Sequence, residues 1–203
     1  MNTGSLMKKV IISTLYGAEP VVLSVTKYGA DKLILIANKD PDKVQDEAME
    51  AVKNAFEKVL EIKPVKVDPY DVVKIAAETV KAIDFMGDDD KIIVNISSGR
   101  KTMSLGLLFA AYKRAAKIDK ILYVSEEKQI IQLPKLSFSL TQSQQKVMEL
   151  IEGGKYKTLM EMSEKIDISR GMLYRNIKEL QDLGLIDVSD GLKLTDAGKI
   201  SVL

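Results

Sequence analysis

The sequence predicts an α/β protein with a Rossmann-like, mostly parallel sheet, a C-terminal antiparallel hairpin on that sheet, and a winged helix-turn-helix domain. Strand-like and helix-like segments alternate over residues 8–125, as in βαβ units. Residues 33–36 form the continuous apolar run Leu-Ile-Leu-Ile, which is typical of a strand buried on both faces. After residue 140 the pattern changes to three helices and a hairpin, the winged helix-turn-helix order.

The first strand is predicted over Lys9–Leu15, which is rich in β-branched residues. Pro20 suits the first turn of the next helix, and Gly29 ends it. The second strand is predicted within residues 31–38. The Asp-Pro pairs at 40–41 and 68–69 are each predicted to cap a helix, with a short strand at 65–67 between the two helices.

The second half of the α/β region is predicted as a strand over 91–96, a helix from Met103 to about Lys117, and a strand over 121–125. A last strand over 129–133 would form a hairpin and an antiparallel edge. The three consecutive aspartates at 88–90 are interpreted as a solvated turn, so no metal site is proposed there.

Pro134 marks the predicted domain boundary. We expect a sensor domain over residues 7–133, a linker over 134–139 and a winged helix-turn-helix domain over 140–203. In the last domain, helices are predicted over 141–151, 158–166 and 172–183, and a hairpin with an Asp-Gly turn precedes a short closing helix. Whether residues 1–6 are native, with Met7 as the alternative start, stays open.

Composition narrows the possible chemistry. The chain has 203 residues, no cysteine and no histidine, so thiolate metal sites, disulfides and the commonest general base are excluded. Any chemistry would have to rest on carboxylate, Lys, Tyr, Ser or Thr side chains. We name no catalytic residue and no cofactor, and we expect a protein that is not an enzyme. No apolar run reaches the length of about 20 residues that spans a membrane. We expect a cytoplasmic protein without a membrane partner.

The third helix of the C-terminal region carries side chains that can contact double-stranded DNA. Arginine and lysine bind phosphates and guanine, and asparagine can read adenine. Residues 140–203 hold nine Lys and Arg against ten Asp and Glu, which leaves a protein-interaction role open as an alternative. The predicted DNA-binding residues are Ser169, Arg170, Tyr174, Arg175, Asn176 and Lys178.

The segment 94–103 joins a predicted strand to a predicted helix through a polar turn that contains Gly99. Ligands of open α/β sheets bind outside the carboxyl ends of the strands, and N–H groups at a helix start favour anions. Arg100 and Lys101 add positive charge at the same place. The loop at residues 14–18 ends the first strand in the same way, so we expect both loops at one edge of the sheet.

Residues 95–103 read Asn-Ile-Ser-Ser-Gly-Arg-Lys-Thr-Met. This segment resembles the signature D/N-x-T/S-x-G-x-K/R-x-M of CRISPR-associated Rossmann-fold (CARF) domains, with Ser97 where the family usually has threonine. Residues 14–17 resemble the loop after the first strand of those domains, although Ala18 stands where an aromatic residue is frequent. Residues 169–180 resemble the recognition helix of archaeal and bacterial winged-helix regulators, and residues 194–199 resemble the segment after their wing. The whole layout resembles archaeal CARF–winged-helix regulators of CRISPR systems.

The resemblance implies a homodimer that binds a cyclic oligoadenylate, with the tetra-adenylate as the expected ring size, across its two-fold axis, and that regulates transcription in antiviral defence. A ring nuclease that degrades this ligand is the enzymatic alternative. The ligand-binding residues that the resemblance implies are Thr14, Leu15, Tyr16, Gly17, Ala18, Asn95, Ser97, Ser98, Gly99, Arg100, Lys101 and Met103.

Overall fold

A computed structural model describes residues 7–136, 140–154 and 156–202. The chain divides between Leu133 and Pro134 into two compact units. Residues 1–6, whose native status stays open, lie outside the described residues. The same holds for residues 137–139 of the predicted linker. None of the helices in the described part of the chain combines the length and apolar character that crossing a bilayer requires.

The first unit is built on a six-stranded sheet with the strand order β3-β2-β1-β4-β5-β6. The first five strands are parallel, and β6 pairs with β5 in the antiparallel direction. This confirms the predicted Rossmann-like sheet and its hairpin edge. The strands are β1 (Lys9–Thr14), β2 (Lys32–Asn38), β3 (Glu61–Val67), β4 (Lys91–Asn95), β5 (Ile118–Val124) and β6 (Ile130–Leu133).

Four helices cover the two faces of the sheet, namely α1 (Glu19–Tyr28), α2 (Lys43–Phe56), α3 (Val72–Asp84) and α4 (Lys101–Lys113). Alternate side chains of β1 enter different cores because successive strand residues point to opposite faces. Val10 and Ile12 belong to the apolar cluster with α3 and α4. Ile11 belongs to the cluster with α1 and α2. The central strands are therefore buried on both faces, as their apolar runs predict.

The predicted starts of α2 and α3 were wrong by a few residues. Asp42, not Asp40, caps α2, and its Oδ1 accepts a hydrogen bond from the Gln45 N–H at 3.0 Å. Asp71, not Asp68, caps α3. Asp68 instead accepts from the Tyr70 N–H at 3.0 Å, so its carboxylate stabilises the turn before the helix.

Three other boundaries also differ from the prediction. Strand β3 is longer than predicted and contains Pro64. Proline has no N–H to donate, and an edge strand such as β3 tolerates this because one of its sides has no neighbouring strand. Helix α4 begins at Lys101 and ends at Lys113, and a short 3-10 turn, Ala115–Lys117, leads to an earlier start of β5.

The acidic turn at residues 88–90 is held by hydrogen bonds and an ion pair within the protein. Asp90 accepts hydrogen bonds from the N–H groups of Gly87 and Lys8, each at 2.9 Å. Asp88 pairs with Lys117 at 3.0 Å. Across the part of the chain that the structure describes, no group of three or more potential metal-ligating side chains is found.

The second unit contains three helices, a two-stranded hairpin and a final short helix, in the order that the sequence predicts. Thr141, Thr158 and Ser169 cap the first three helices with their hydroxyl groups. One apolar cluster joins the helices and the hairpin. The elements are α5 (Gln142–Glu152), α6 (Leu159–Ile166), α7 (Arg170–Asp182), β7 (Ile186–Asp187), β8 (Lys193–Leu194) and α8 (Asp196–Ser201).

We predict that Gly106→Ala destabilises the first unit, although alanine favours helices over glycine by about 1 kcal/mol. A Cβ at Gly106 of α4 would lie 2.6 Å from Cγ2 of Ile75 and 3.1 Å from the carbonyl oxygen of Val72, both on α3. Overpacking of this kind costs about 1–3 kcal/mol. Chemical denaturation measures the change.

Gly171→Ala is the control, because a Cβ at that position in α7 meets nothing within 4 Å. An unchanged or higher stability of the Gly106→Ala protein would show that α3 and α4 do not pack as closely as described.

Candidate ligand-binding site

Two loops meet at the point where the chain reverses its direction across the sheet. From β1 the chain proceeds outward to β2 and β3, and it then returns to place β4 on the other side of β1. The connections that follow β1 and β4 therefore diverge and leave a crevice at the carboxyl ends of the two strands. Open α/β sheets bind ligands at such a switch point. The β1 loop (residues 15–18) and the β4 loop (residues 96–100) form this crevice.

The hydroxyl group of Ser98 joins the two loops. It accepts hydrogen bonds from the backbone N–H groups of Tyr16 and Gly17, each at 2.8 Å. It also donates to the carbonyl oxygen of Gly17 at 3.2 Å. A serine hydroxyl has one donor and two acceptor positions, so all three are used within the protein. Ser98, predicted as a ligand contact, is 6% exposed and positions the β1 loop.

Asn95 holds the start of the β4 loop. Its Nδ2 donates to the Pro20 carbonyl oxygen at 3.0 Å and to Ser24 Oγ at 2.9 Å. Its Oδ1 accepts from the N–H of Ser97 at 3.1 Å and from the Ser97 hydroxyl. The Ser97 hydroxyl in turn accepts from the N–H of Val124 at 2.6 Å. Asn95 and Ser97 thus fix the loop to α1 and β5.

Three of the predicted ligand contacts have fully buried side chains. Leu15, Asn95 and Met103 are packed or hydrogen-bonded within the protein. Leu15 packs with α1 and α2, and Met103 packs with α3 and α4. Leu15 and Met103 are apolar residues next to a glycine-containing turn. Each fills the core beneath its loop.

Thr14 and Gly99 form the floor of the crevice. Gly99 has a φ of +94°, in the left-handed region that glycine adopts without strain. A Cβ at Gly99 would lie 3.3 Å from Cβ of Thr14, so glycine also allows the two loops to approach. Thr14 is fully buried, and its Oγ1 has no hydrogen-bond partner among the described residues. A buried hydroxyl without a partner is costly.

Arg100 and Lys101 are exposed at the start of α4. Neither forms an ion pair with a carboxylate of the described residues. Cζ of Arg100 lies 5.3 Å from the ring centroid of Tyr70, a cation–π contact. Sequence reasoning missed Tyr70, because nothing in its local sequence places it beside the β4 loop. Both cations can therefore bind an anion at the helix start.

The remaining residues of the β1 loop are partly exposed. The hydroxyl of Tyr16 donates to the Asp42 carboxylate at 3.1 Å. This hydrogen bond, together with the negative charge of Asp42, raises the pKa of Tyr16 above its ordinary value. Gly17 has open space around its Cα. Ala18 packs partly against the apolar cluster of α1 and α2 and precedes α1.

A cavity of about 410 Å³ opens beside the β4 loop. Its volume falls within the range of small-molecule sites, about 300–1,000 Å³. Lys101 is the one charged residue of the lining, and the surface of the cavity is largely apolar. The lining residues are Ile96, Ser97, Gly99, Lys101, Ser104, Leu105, Leu108 and Tyr123. The crevice thus offers cations next to apolar surface, which suits an anionic ligand with flat apolar groups.

In the second unit, α7 exposes Arg170, Tyr174, Arg175 and Lys178 on its surface. Arg175 forms an ion pair with Glu179 at 2.8 Å. Asn176 is 5% exposed, and its Nδ2 is buried without a partner among the described residues. Its side chain therefore lies on the core side of the helix. Ser169 caps the helix through its hydroxyl, which accepts from the Met172 N–H.

Comparisons with known proteins identify relatives of the first unit. The model of the family described as "HFX_2341_N:-like, N-terminal" matches residues 10–129. No curated protein sequence matches the chain.

Solved structures that are similar to this chain include those of Csm6 and Can2. Csm6 from Enterococcus italicus, bound to cyclic hexa-2′-fluoro-hexa-dAMP, has 14% identity and a TM-score of 0.55, with 86% of this chain and 55% of that chain covered. Can2 from Sulfobacillus thermosulfidooxidans, in complex with cyclic tetra-adenylate, has 17% identity and a TM-score of 0.49, with 94% and 61% covered. The chain therefore spans little more than half the length of either protein.

We predict that Ser98→Ala loosens the β1 loop, because it leaves the N–H groups of Tyr16 and Gly17 without their acceptor. Loss of a partner by a buried polar group costs about 1–3 kcal/mol. Amide hydrogen exchange at Tyr16 and Gly17 should therefore become faster.

Ser104→Ala is the matched control, because the Ser104 hydroxyl donates to the Ile96 carbonyl oxygen at 2.8 Å and does not touch the β1 loop. Equal exchange rates at Tyr16 and Gly17 in the Ser98→Ala and wild-type proteins would show that the Ser98 hydroxyl does not hold the β1 loop.

Proposed function

The chain belongs to the family described as HFX_2341_N:-like, N-terminal, and we propose that it is a ligand-responsive transcription regulator of a CRISPR system. The first unit senses a cyclic oligoadenylate, with the tetra-adenylate as the expected ring size. The second unit, a winged helix-turn-helix domain, binds double-stranded DNA. Its place of action is then the cytoplasm, where prokaryotic DNA lies.

The observation that carries the ligand proposal is the pair of cations at the switch point, which have no carboxylate partner among the described residues. Arg100 and Lys101 lie at the start of α4, where the first N–H groups of the helix have no intrahelical partner. A cyclic oligoadenylate offers phosphates to such a site and flat bases to the adjoining apolar cavity. Two further observations support the same ligand class. One is the signature at 95–103, and the other is the fold shared with Csm6, which was solved with a cyclic hexanucleotide analogue.

The revised ligand-binding surface is smaller than the sequence implies. We assign direct contacts to Gly17, Gly99, Arg100 and Lys101, and Thr14 lies buried against Gly99. Tyr16 and Ala18 remain at the rim, where they are partly exposed. Ser97 and Ser98 act by shaping the loops, since their hydroxyls are already bonded within the protein.

We also propose a homodimer through the exposed side of α4. Leu105 is 46% exposed and Phe109 is 52% exposed, although both are large apolar residues. They lie four positions apart and so share one face of the helix. The same helix begins at the cationic site. A two-fold interface along α4 would bury both side chains and bring two copies of the β4 loop together around one symmetric ligand.

The DNA proposal is supported by the cations on α7. Arg170 and Lys178 lie free of carboxylate partners among the described residues, and Tyr174 is 59% exposed between them. Positive side chains on the third helix of this fold reach phosphates and base edges in the major groove. The revised DNA-binding set is Ser169, Arg170, Tyr174, Arg175 and Lys178.

We predict that cyclic tetra-adenylate binds the wild type and that Arg100→Ala with Lys101→Ala weakens binding by about tenfold to a hundredfold for each charge-assisted hydrogen bond removed. Isothermal titration calorimetry measures the affinity. Lys43→Ala with Lys58→Ala removes the same charge from exposed positions outside the two loops and should leave the affinity unchanged.

The same incubations separate a sensor from a ring nuclease. Chromatography of the recovered nucleotide should show an intact ring. No binding by the wild type, or equal binding by the Arg100→Ala, Lys101→Ala protein, would contradict the proposed site.

We predict that Arg170→Ala with Arg175→Ala weakens DNA binding and lowers the slope of log affinity against log salt by about 1 for each phosphate that is no longer bound. Gel shifts over a salt series provide both values. Lys146→Ala with Lys165→Ala, on α5 and α6, removes equal charge away from α7 and is the control. If both double variants behave alike, α7 is not the DNA-reading surface.

A further inference from the structure

Tyr70 presents an aromatic ring to the cationic end of α4. It lies in the turn between β3 and α3 and is 66% exposed. Cζ of Arg100 lies 5.3 Å from the centroid of this ring. A guanidinium is attracted to an aromatic ring at distances of up to about 6 Å. Tyr70 thus contacts a residue of the ligand site although it belongs to neither of the two loops that form the crevice.

Two hydrogen bonds hold the turn that carries Tyr70. The N–H of Tyr70 donates to Oδ1 of Asp68 at 3.0 Å. The hydroxyl of Thr102, in the first turn of α4, donates to the carbonyl oxygen of Pro69. Thr102 stands two positions after Arg100. The residue before Tyr70 is therefore tied to the same end of α4 that carries the guanidinium.

The packing of α3 against α4 also restricts the position of this turn. A Cβ at Gly106 of α4 would lie 3.1 Å from the carbonyl oxygen of Val72. Val72 is the first residue of α3 and stands two positions after Tyr70. Because the two helices approach this closely, the turn that precedes α3 has a fixed place beside α4.

An aromatic partner leaves Arg100 able to bind an anion. The five N–H donors of a guanidinium are arranged in its plane. A carboxylate in a bidentate pair would occupy two of them and neutralise the charge, and a phosphate would then have to displace it. The Tyr70 ring carries no charge, and no carboxylate of the described residues pairs with Arg100. The guanidinium is therefore held without losing its positive charge.

The charge of Arg100 also acts on the β1 loop. The hydrogen bond to the Asp42 carboxylate is the main cause that raises the pKa of Tyr16, and the positive charge of Arg100 acts in the opposite direction. The guanidinium that contacts Tyr70 is therefore close enough to the β1 loop for its charge to reach the crevice. Lys101, the other cation, lines the cavity beside the β4 loop. The two cations thus have different neighbours.

From these contacts we propose that Tyr70 is a positioning residue, which holds the Arg100 guanidinium at the crevice with its N–H donors free to bind a phosphate of the ligand. This inference rests on the proposed function, because it concerns the same cyclic oligoadenylate. An arginine side chain without a partner samples many rotamers, and its immobilisation by a ligand lowers the affinity. The contact with Tyr70 immobilises it beforehand.

Tyr70→Leu tests the proposal, because it removes the ring at an exposed position on which the core does not depend. Isothermal titration calorimetry should show an affinity for cyclic tetra-adenylate about twofold to tenfold weaker than that of the wild type. Tyr70→Phe keeps the ring and should restore the wild-type affinity. Phe85→Leu is the matched control. Phe85 is an exposed aromatic residue at the other end of α3, and Nζ of Lys63 lies 5.5 Å from its ring centroid. This variant should bind like the wild type.

A double-mutant cycle separates a positioning role from direct contact with the ligand. In the Arg100→Ala background, Tyr70→Leu should have no further effect on the affinity, because the side chain that Tyr70 positions is absent. An equal loss of affinity with and without Arg100 would show that Tyr70 acts on the ligand itself, and it would overturn the proposal.

The contact between the two side chains is tested without a ligand. The ring current of Tyr70 should displace the nuclear magnetic resonance signals of the Arg100 side chain in the wild type, and Tyr70→Leu should return them to the positions of a solvated arginine. Unchanged Arg100 signals in the Tyr70→Leu protein would refute the contact.

The calorimetry distinguishes the failure of this inference from the failure of the proposed function. Absence of cyclic tetra-adenylate binding by the wild type would refute the proposed function together with this role of Tyr70. Equal binding by the wild-type and Tyr70→Leu proteins would refute the role of Tyr70 alone.

Discussion

The hydrogen bonds of the Ser98 hydroxyl constrain the candidate site more than any other interaction of the two loops. One side chain from the β4 loop accepts from Tyr16 and Gly17 and donates back to Gly17. The β1 loop is therefore positioned by a residue 82 positions away in sequence. Because β1 and β4 are adjacent parallel strands, this distance in sequence becomes direct contact at the edge of the sheet. These hydrogen bonds hold one wall of the crevice against the other.

The polar residues of the signature divide into two groups. Asn95 and Ser97 hydrogen-bond each other and hold the loop to α1 and β5, and Ser98 bonds the backbone of the β1 loop. These side chains act as a frame for the loops. Arg100 and Lys101 have exposed charges. Such a division suits a sensor, because a preorganised frame reduces the entropy that is lost when a ligand binds. The free energy of ligand binding would then come from the two cations and the adjoining cavity.

Sequence reasoning found the elements that local patterns determine. Alternating strands and helices predicted the sheet, and the glycine-containing turn predicted the place of Gly99. Local patterns do not show which way a side chain points once it packs. Leu15 and Met103 are core residues, and Asn176 faces the core of the second unit. Tyr70 reaches Arg100 from the start of α3, a contact that only the packing of α3 against α4 creates. The caps at Asp42 and Asp71 were missed because the Asp-Pro pairs are stronger local signals upstream.

The central claim is that a ligand at the switch point changes DNA binding by the second unit. A ligand can do so only if it binds the DNA-bound and free forms with different affinity. The most direct test measures the affinity of the full chain for DNA at one salt concentration, with and without saturating cyclic tetra-adenylate. We expect a change of about fivefold or more, which corresponds to a coupling free energy of at least about 1 kcal/mol. Identical DNA affinities with and without bound ligand would contradict the claim.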